Sequence, residues 1–362
     1  MARVKHLVAS WLVAWIVLGA APAALAAAER PPRDSASPRP VQNDSKSGRA
    51  DAAEQAGEPA RQAEEQAESA SAFLRLVRDD EGKPTAMETA IVRYVAPDAQ
   101  RKGLYVDLIG VVHIGEAGYY QQLNRQFERY DALLYELVAP EGTRVPKGAT
   151  NTGNPVGALQ TGMKNILELD YQLEFIDYHR DNFVHADMSP DDFARSMNER
   201  GESIWAMMFR MMGQSIAQQN KDPNRSVDAE LLLALFDRNR ALALKRIMAE
   251  QFQDLEGAMS AINGPDGSTI ITERNKKALE VLARQIEDGK KRLAIFYGAG
   301  HMPDMEKRLL TDFGLERQDE QWLKAWDLTG KSKKSAAQPT RKKAAGKPPA
   351  RQREEAASPS AD

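Results

Sequence analysis

The positions of the large apolar side chains limit which part of this chain can fold into a domain. Apart from a run near the start of the chain, they are concentrated between residues 72 and 329. Residues 27–71 consist mainly of Ala, Glu, Gln, Pro, Ser and Arg, and residues 330–362 are similar. Such segments cannot bury enough apolar surface to offset the chain entropy lost on folding. We therefore predict one domain at 72–329, a disordered linker at 27–71 and a disordered tail at 330–362, although length alone would suggest about two domains.

The first 26 residues have the pattern of a secretory signal peptide. Arg3 and Lys5 give a short basic segment, residues 7–18 form an apolar run, and Ala24 and Ala26 supply the small residues of a cleavage site. An uncleaved membrane anchor is the alternative, because the apolar stretch approaches the length that spans a bilayer. The pattern favours a cleaved leader, so we expect an exported protein, periplasmic or secreted.

The charges are distributed unevenly along the chain. The formal net charge is −3, but residues 331–362 contain nine Lys or Arg and three acidic residues, which gives this tail +6 and leaves −9 for the rest. A basic tail can contact anionic polymers or a membrane surface. A disordered tail that only aids solubility is the other interpretation, and no specific nucleic-acid partner is predicted.

Cysteine is absent, and the chain contains five histidines. Disulfides, a cysteine nucleophile and thiolate metal ligands are therefore excluded. His6 lies in the leader, and we expect His179 to be a surface or structural residue. The remaining candidates for chemistry are His113, His185 and His301, together with the carboxylates and basic side chains.

The hydrophobic pattern predicts a mixed α/β fold, with a central mixed β-sheet flanked by helices and a helical insertion in the middle of the domain. A β-α-β unit at residues 104–137 indicates parallel neighbouring strands. Predicted strands cover residues 73–78, 88–94, 104–112, 132–137, 182–187, 292–297 and 321–329. Predicted helices cover residues 116–130, 156–169, 190–198, 202–219, 227–251, 255–262, 271–287 and 303–313.

Two strand ends share the pattern Gly-x-x-His. Gly110 and His113 end one predicted strand, and Gly298 and His301 follow another. Ligands of open α/β sheets bind at the carboxyl ends of the strands, and glycine there permits close approach or a positive φ. Histidine at this edge can bind a metal ion or transfer protons, although each histidine could instead stabilise the adjacent helix.

Glu136 ends the predicted strand at 132–137 and can reach the same edge. A carboxylate within an apolar strand is costly to bury without a partner. Two histidines and one carboxylate could form an open site for a divalent metal ion. Arg274 begins the helix before the second Gly-x-x-His strand, where it could hold an anion or stabilise an oxyanion. An ion pair from Arg274 to Glu273, Glu136 or another acid is an equal alternative.

His185 and Asp187 are second candidates for the same site. They stand two positions apart in a predicted strand, so both side chains would lie on one face. An ordinary polar turn explains them equally well.

Four blocks of this sequence resemble the TraB/PrgY/GumN family, which shares its domain with the Tiki proteins. The blocks are residues 106–115, 130–136, 273–275 and 295–302. The resemblance maps the family's two Gly-x-x-His motifs, its Glu and its Arg onto His113, His301, Glu136 and Arg274. It implies a fold like that of erythromycin esterase and the ChaN haem-binding lipoproteins, and the Tiki proteins are divalent-metal-dependent peptidases.

Together, the motifs and the resemblance predict an exported metal-dependent hydrolase that acts on a peptide or small-molecule substrate. The expected metal is Mn, Co or Zn, held by His113, His301 and Glu136, with Arg274 stabilising the oxyanion. The alternative is a non-catalytic protein that binds a peptide, haem or a polyanion in the cell envelope. In that case His113 or His185 would ligate the haem iron.

Overall fold

The computed structural model describes residues 73–140, 142–143, 167–203, 233–234, 236–253 and 262–330. A seven-stranded mixed sheet lies at the centre of these residues, and a two-stranded sheet lies beside it. The strands are β1 (Leu74–Arg78), β2 (Pro84–Val95), β3 (Tyr105–Val111), β4 (Ile114–Gly115), β5 (Ala132–Tyr135), β6 (Asp170–Tyr171), β7 (Phe183–His185), β8 (Arg292–Gly298) and β9 (Glu316–Asp327). The helices are α1 (Ala117–Phe127), α2 (Gln172–Phe175), α3 (Pro190–Glu199), α4 (Arg240–Gln253), α5 (Arg274–Glu287) and α6 (Met302–Thr311).

Four parallel strands form one half of the large sheet, in the order β3-β8-β5-β7. β3 and β5 are parallel, as predicted, but they are not neighbours, because β8 lies between them. Residues 293–297 of β8 are almost completely buried. A strand that is apolar on both faces fits the interior of a sheet whose two faces are both covered. The predicted β-α-β unit therefore accommodates a strand from much later in the chain.

The antiparallel half of the sheet is organised by β2. β9 pairs with β2 from Ala86 to Val95, while β1 and β3 pair with successive stretches of it. Because β9 occupies one edge along this length, β1 and β3 share the other edge. β9 begins earlier than predicted, and its first half is exposed and polar, so it lacks an apolar alternation that would reveal a strand.

Helices cover both faces of the sheet, and the strand residues alternate between two apolar clusters. Ile109 of β3 and Phe296 of β8 belong to the cluster that includes α1 and α4. Leu108 and Ile295 belong to the cluster that includes α5 and α6. α3 begins at Pro190, as predicted, and Ser189 is its N-cap, since the Ser189 hydroxyl accepts a hydrogen bond from the backbone N–H of Asp192 at 3.1 Å.

The predicted signal peptide, linker and tail lie outside the described residues, as do most of the predicted helices at 156–169, 202–219 and 255–262. The helical insertion and the disordered termini therefore stay predictions. Within the part of the chain that is described, no helix is long and apolar enough to cross a membrane.

Candidate functional site

The carboxyl ends of the four parallel strands carry the candidate site. His113 follows β3, Glu136 follows β5, Asp187 follows β7 and His301 follows β8. Parallel strands present these ends at one edge of the sheet, which is the edge where open α/β sheets bind ligands. The strand order explains why residues far apart in sequence are brought together here.

Arg274 lies at the centre of a buried charged cluster. Its Nε and Nη2 donate to Oδ1 and Oδ2 of Asp187 at 2.9 and 2.6 Å, and Nη2 also donates to Oε1 of Glu136 at 2.7 Å. Arg274 and the side chain of Asp187 are 0% exposed. Burial lowers the pKa of Arg274, but the charges of Asp187 and Glu136 outweigh it and hold the pKa above its usual value. The guanidinium therefore stays charged and balances part of the charge of the two carboxylates.

An irregular turn directs Arg274 into this cluster. Thr269–Glu273 form one π-helical turn, which ends where α5 begins at Arg274. Ser268 caps the turn by accepting a hydrogen bond from the Ile271 amide, and both carboxylate oxygens of Glu202 accept from the Thr269 amide at 3.2 and 3.0 Å. Wider helical turns of this kind occur frequently at functional sites.

His301 lies beside this cluster and is completely buried. Its Nε2 is 3.7 Å from Oε1 of Glu136 and 3.5 Å from Nη1 of Arg274, and its Nδ1 is hydrogen-bonded to Oδ1 of Asn275 at 2.7 Å. Burial, followed by the charges of Arg274 and His113, holds the pKa of His301 well below its usual value. The ring is therefore neutral at neutral pH.

Glu136 is held at both of its carboxylate oxygens. Oε1 accepts from Arg274, and Oε2 accepts from the backbone N–H of Gly298 at 2.7 Å.

The two motif glycines do not have a left-handed conformation. Gly298 has φ −51°, and Gly110 is not among the glycines with positive φ, so neither position requires glycine for that reason. A Cβ added to Gly110 would meet its nearest neighbours at 3.5 Å, which is ordinary contact.

His113 is half-buried and lies on a loop fixed by several hydrogen bonds. The backbone carbonyl of His113 accepts a hydrogen bond from the backbone N–H of Gln172 at 2.9 Å. The backbone carbonyl of Ile114 accepts one from the indole N–H of Trp326 at 2.7 Å. The ring Nδ1 is 2.8 Å from Oε1 of Gln172, whose amide donates to the Tyr178 hydroxyl at 2.8 Å. The other ring nitrogen of His113, Nε2, is buried.

The two second candidates separate. Asp187 belongs to the Arg274 cluster, whereas the Nε2 of His185 is hydrogen-bonded to the Leu137 carbonyl at 2.6 Å. Glu273, an alternative partner for Arg274, instead accepts from Lys276 at 2.9 Å and from Arg200 at 3.4 Å. Of the predicted site residues, hydrogen bonds therefore join Arg274 to Glu136 and Asp187, with His301 beside them.

Asn275 and Gln172 are polar partners of the two motif histidines that the sequence patterns do not identify as site residues. Each presents an amide oxygen to a histidine Nδ1. Asn275 lies next to Arg274 in a block that carries the family resemblance, which is the only signal for it. Gln172 lies in a part of the sequence with no recognisable motif.

A metal ion held by His113, His301 and Glu136 does not fit this arrangement. Both oxygens of Glu136 already accept hydrogen bonds, and the cation next to Glu136 and His301 is the guanidinium of Arg274. Over the described ranges, no group of three or more His, Asp or Glu side chains could hold a metal ion. The metal assignment stays a prediction that requires direct measurement.

No protein-family model, curated protein or solved structure matches this chain. The resemblance to the TraB/PrgY/GumN family therefore rests on the sequence blocks alone.

Proposed function

We propose that this chain is an exported hydrolase of the TraB/PrgY/GumN type, which hydrolyses an amide or ester bond in a peptide or a small-molecule substrate. One observation supports it most: Arg274, Glu136, Asp187 and neutral His301 converge at the carboxyl edge of four parallel strands. Burying such a cluster is often no more stabilising than apolar packing, and strongly shifted pKa values cluster at functional sites.

In this proposal the residues of the site have different roles. His113 is half-buried, whereas Arg274 and His301 are completely buried, so we assign to His113 the contact with the substrate or the attacking water. Its Nε2 is itself buried, so this contact would require the site to open. Glu136, at 8% exposure, forms the inner wall of the site. Arg274 orients both carboxylates, and contact between Arg274 and an oxyanion would require the site to open.

Incubation of the protein with a range of possible substrates tests this proposal. The full chain without its leader is incubated with a mixture of synthetic peptides and a panel of p-nitrophenyl esters, and the products are identified by mass spectrometry. We expect cleavage by the wild type and by His179→Ala, a half-exposed histidine paired with Asp177, and at least a hundredfold loss in His113→Ala. Cleavage unchanged in His113→Ala, or absent from the wild type, would contradict the proposal.

The metal dependence implied by the resemblance is tested separately. Protein purified without chelator is analysed for Mn, Co and Zn, and cleavage is measured before and after dialysis against EDTA. A stoichiometric metal that is lost from His301→Ala would support the predicted ligands. Cleavage that survives dialysis would show that the site does not need a metal ion that EDTA can remove.

A non-catalytic binding protein is the second candidate, because Arg274 and His301 are completely buried and a ligand could contact only the outer residues of the site. Haem is one such ligand, with His113 or His185 at the iron. Titration with haem is followed through the Soret band, and retention of peptides is followed by equilibrium dialysis. A Soret shift lost in His113→Ala or His185→Ala, without any cleavage, would favour this function.

Export and the basic tail are further parts of the proposal. Cleavage after Ala26 would give a mature periplasmic or secreted protein, and the mass of the protein from the extracellular or periplasmic fraction tests it.

The tail at 330–362 would retain the protein on an anionic polymer. Deletion of the tail should then reduce binding to heparin resin at low salt, and an unchanged elution profile would exclude this role.

A further inference from the structure

We infer that Asn275 is a positioning residue that fixes the tautomer of His301, so that the ring carries its proton on Nδ1 and presents the Nε2 lone pair to the site. This inference rests on the proposed function, because it concerns the same site. Its evidence, however, is the hydrogen-bond network around the two residues, and its test does not require a substrate.

The amide of Asn275 has only one possible orientation. Its Nδ2 lies 3.0 Å from the carbonyl oxygen of His301 and 2.8 Å from Oδ2 of Asp304. Both atoms accept hydrogen bonds, so the NH₂ group must face them. The opposite orientation would place the amide oxygen against two acceptors. Oδ1 of Asn275 is therefore the atom that faces His301.

The orientation of this amide determines the tautomer of His301. Oδ1 of Asn275 is 2.7 Å from Nδ1 of His301, and an amide oxygen can only accept, so Nδ1 must donate its proton. A neutral imidazole has one N–H, and Nε2 is left with a lone pair. Nη1 of Arg274, at 3.5 Å from Nε2, agrees with this assignment because it can only donate, and Oε1 of Glu136, at 3.7 Å, is beyond hydrogen-bonding distance.

Asp304 is itself held in place from the far side. Nε of Arg308 donates to Oδ2 of Asp304 at 2.9 Å, and Nη2 donates to Oδ1 at 3.2 Å. The network thus runs from a partly exposed arginine on α6, through Asp304 and Asn275, to the ring of His301. Its chemical effect is that His301 meets the site as a proton acceptor rather than as a donor.

Nitrogen NMR of histidine tests the inference directly. The mature chain is labelled with ¹⁵N-histidine, and the two ring nitrogens of each histidine are identified by their long-range couplings to the ring protons. The spectrum of His301→Gln assigns the His301 signals. We expect a protonated Nδ1 and an unprotonated Nε2 for His301 in the wild type at neutral pH.

Two variants of Asn275 separate tautomer control from packing. Asn275→Leu removes the acceptor, and we expect the proton to move to Nε2, which faces Oε1 of Glu136 at 3.7 Å. The double variant Asn275→Asp, Asp304→Asn keeps an acceptor at Nδ1, so Nδ1 of His301 should stay protonated. The hydrogen bond to the His301 carbonyl is lost, and the new carboxylate also favours protonation of Nε2. Circular dichroism confirms that each variant is folded.

A protonated Nε2 in the wild type would overturn the inference, whether or not Asn275→Leu folds. So would a folded Asn275→Leu variant whose tautomer is unchanged. If the peptides and esters are not cleaved while the tautomer behaves as expected, the proposed hydrolase is wrong but the role of Asn275 stands.

Discussion

Arg274 and Asp187 are joined by two side-by-side hydrogen bonds of 2.9 and 2.6 Å, although neither side chain reaches solvent. A planar guanidinium matches a carboxylate in this bidentate geometry, and lysine cannot reproduce it. The second carboxylate, Glu136, shares Nη2 of the same guanidinium. The stability of this sheet edge should therefore depend on Arg274 more than on any exposed charge.

Replacement of Arg274 by Met should lower the free energy of unfolding by about 3–5 kcal/mol, because it leaves two buried carboxylates without their cation. Arg274→Lys keeps the charge but not the paired hydrogen bonds, so we expect an intermediate loss. Urea unfolding followed by circular dichroism measures both. Arg292→Met is the control, since Arg292 is largely exposed in its pair with Asp131 and its loss should be small. Equal losses in Arg274→Met and Arg292→Met would show that the buried cluster contributes nothing particular.

The neutral state of His301 predicts how stability depends on pH. Burial and the charge of Arg274 hold its pKa well below the usual value, whereas in the unfolded chain the pKa returns to about 6.5. Below that value the unfolded chain binds the extra proton, so the free energy of unfolding should fall as the pH falls from about 6.5 towards the folded-state pKa.

Urea unfolding of the wild type, His301→Gln and His179→Gln between about pH 5 and pH 8 measures this linkage. In that range we expect the slope for His301→Gln to be smaller than for the wild type by up to one proton. His179→Gln removes a half-exposed histidine and is the control. A slope in His301→Gln that matches the wild type would mean that His301 is not the group responsible.

Two glycines after His113 should respond in opposite directions to replacement by alanine. A Cβ on Gly115 would lie 3.1 Å from Cδ1 of Tyr119 and 3.3 Å from the hydroxyl of Tyr120, so Gly115→Ala should destabilise the protein by about 1–3 kcal/mol. A Cβ on Gly118 meets nothing within 4 Å, and Gly118 lies in α1, so Gly118→Ala should stabilise it by up to about 1 kcal/mol. Thermal unfolding of the two variants compares them, and a change of the same sign in both would contradict the crowding at Gly115.

A chelator should leave the melting temperature unchanged, because the cation within the described cluster is a side chain of the protein. Thermal unfolding is measured after dialysis against EDTA and again after adding Mn²⁺ or Zn²⁺. A fall in Tm that the added metal reverses would show that a resident ion stabilises the fold, and it would support the predicted ligands His113, His301 and Glu136.

The positions of the strands along the sequence could be predicted better than the order of the strands in the sheet. Residues 104–112 and 292–297 have the continuous apolar character of buried strands, and both form strands close to these bounds. The placement of β8 between β3 and β5 has no local signal, because strand order depends on which faces are covered in three dimensions. The π-helical turn before Arg274 likewise depends on Glu202, a residue distant in sequence.

The candidate site shows the same division. Histidine and glutamate at strand ends can be read from the motif, since the carboxyl edge of a parallel sheet follows from strand direction. The choice of Asp187 rather than Glu273 as the partner of Arg274 cannot be read from the sequence, because the sequence allows either acid as a partner. Asn275 has no characteristic spacing from His301, and only the folded chain places its amide group against two acceptors, the His301 carbonyl and Asp304.

The hydrogen bond from Trp326 to the Ile114 carbonyl joins residues 212 positions apart. During synthesis, the loop that carries His113 leaves the ribosome long before the strand that holds it. β3 must also wait for β8, its parallel neighbour, which is translated after α5. Such distant pairings form slowly and leave apolar strand edges exposed in the meantime. The His113 loop can therefore be attached only when β9 has been translated, so a nascent chain that stops before Trp326 would contain every site residue without this attachment.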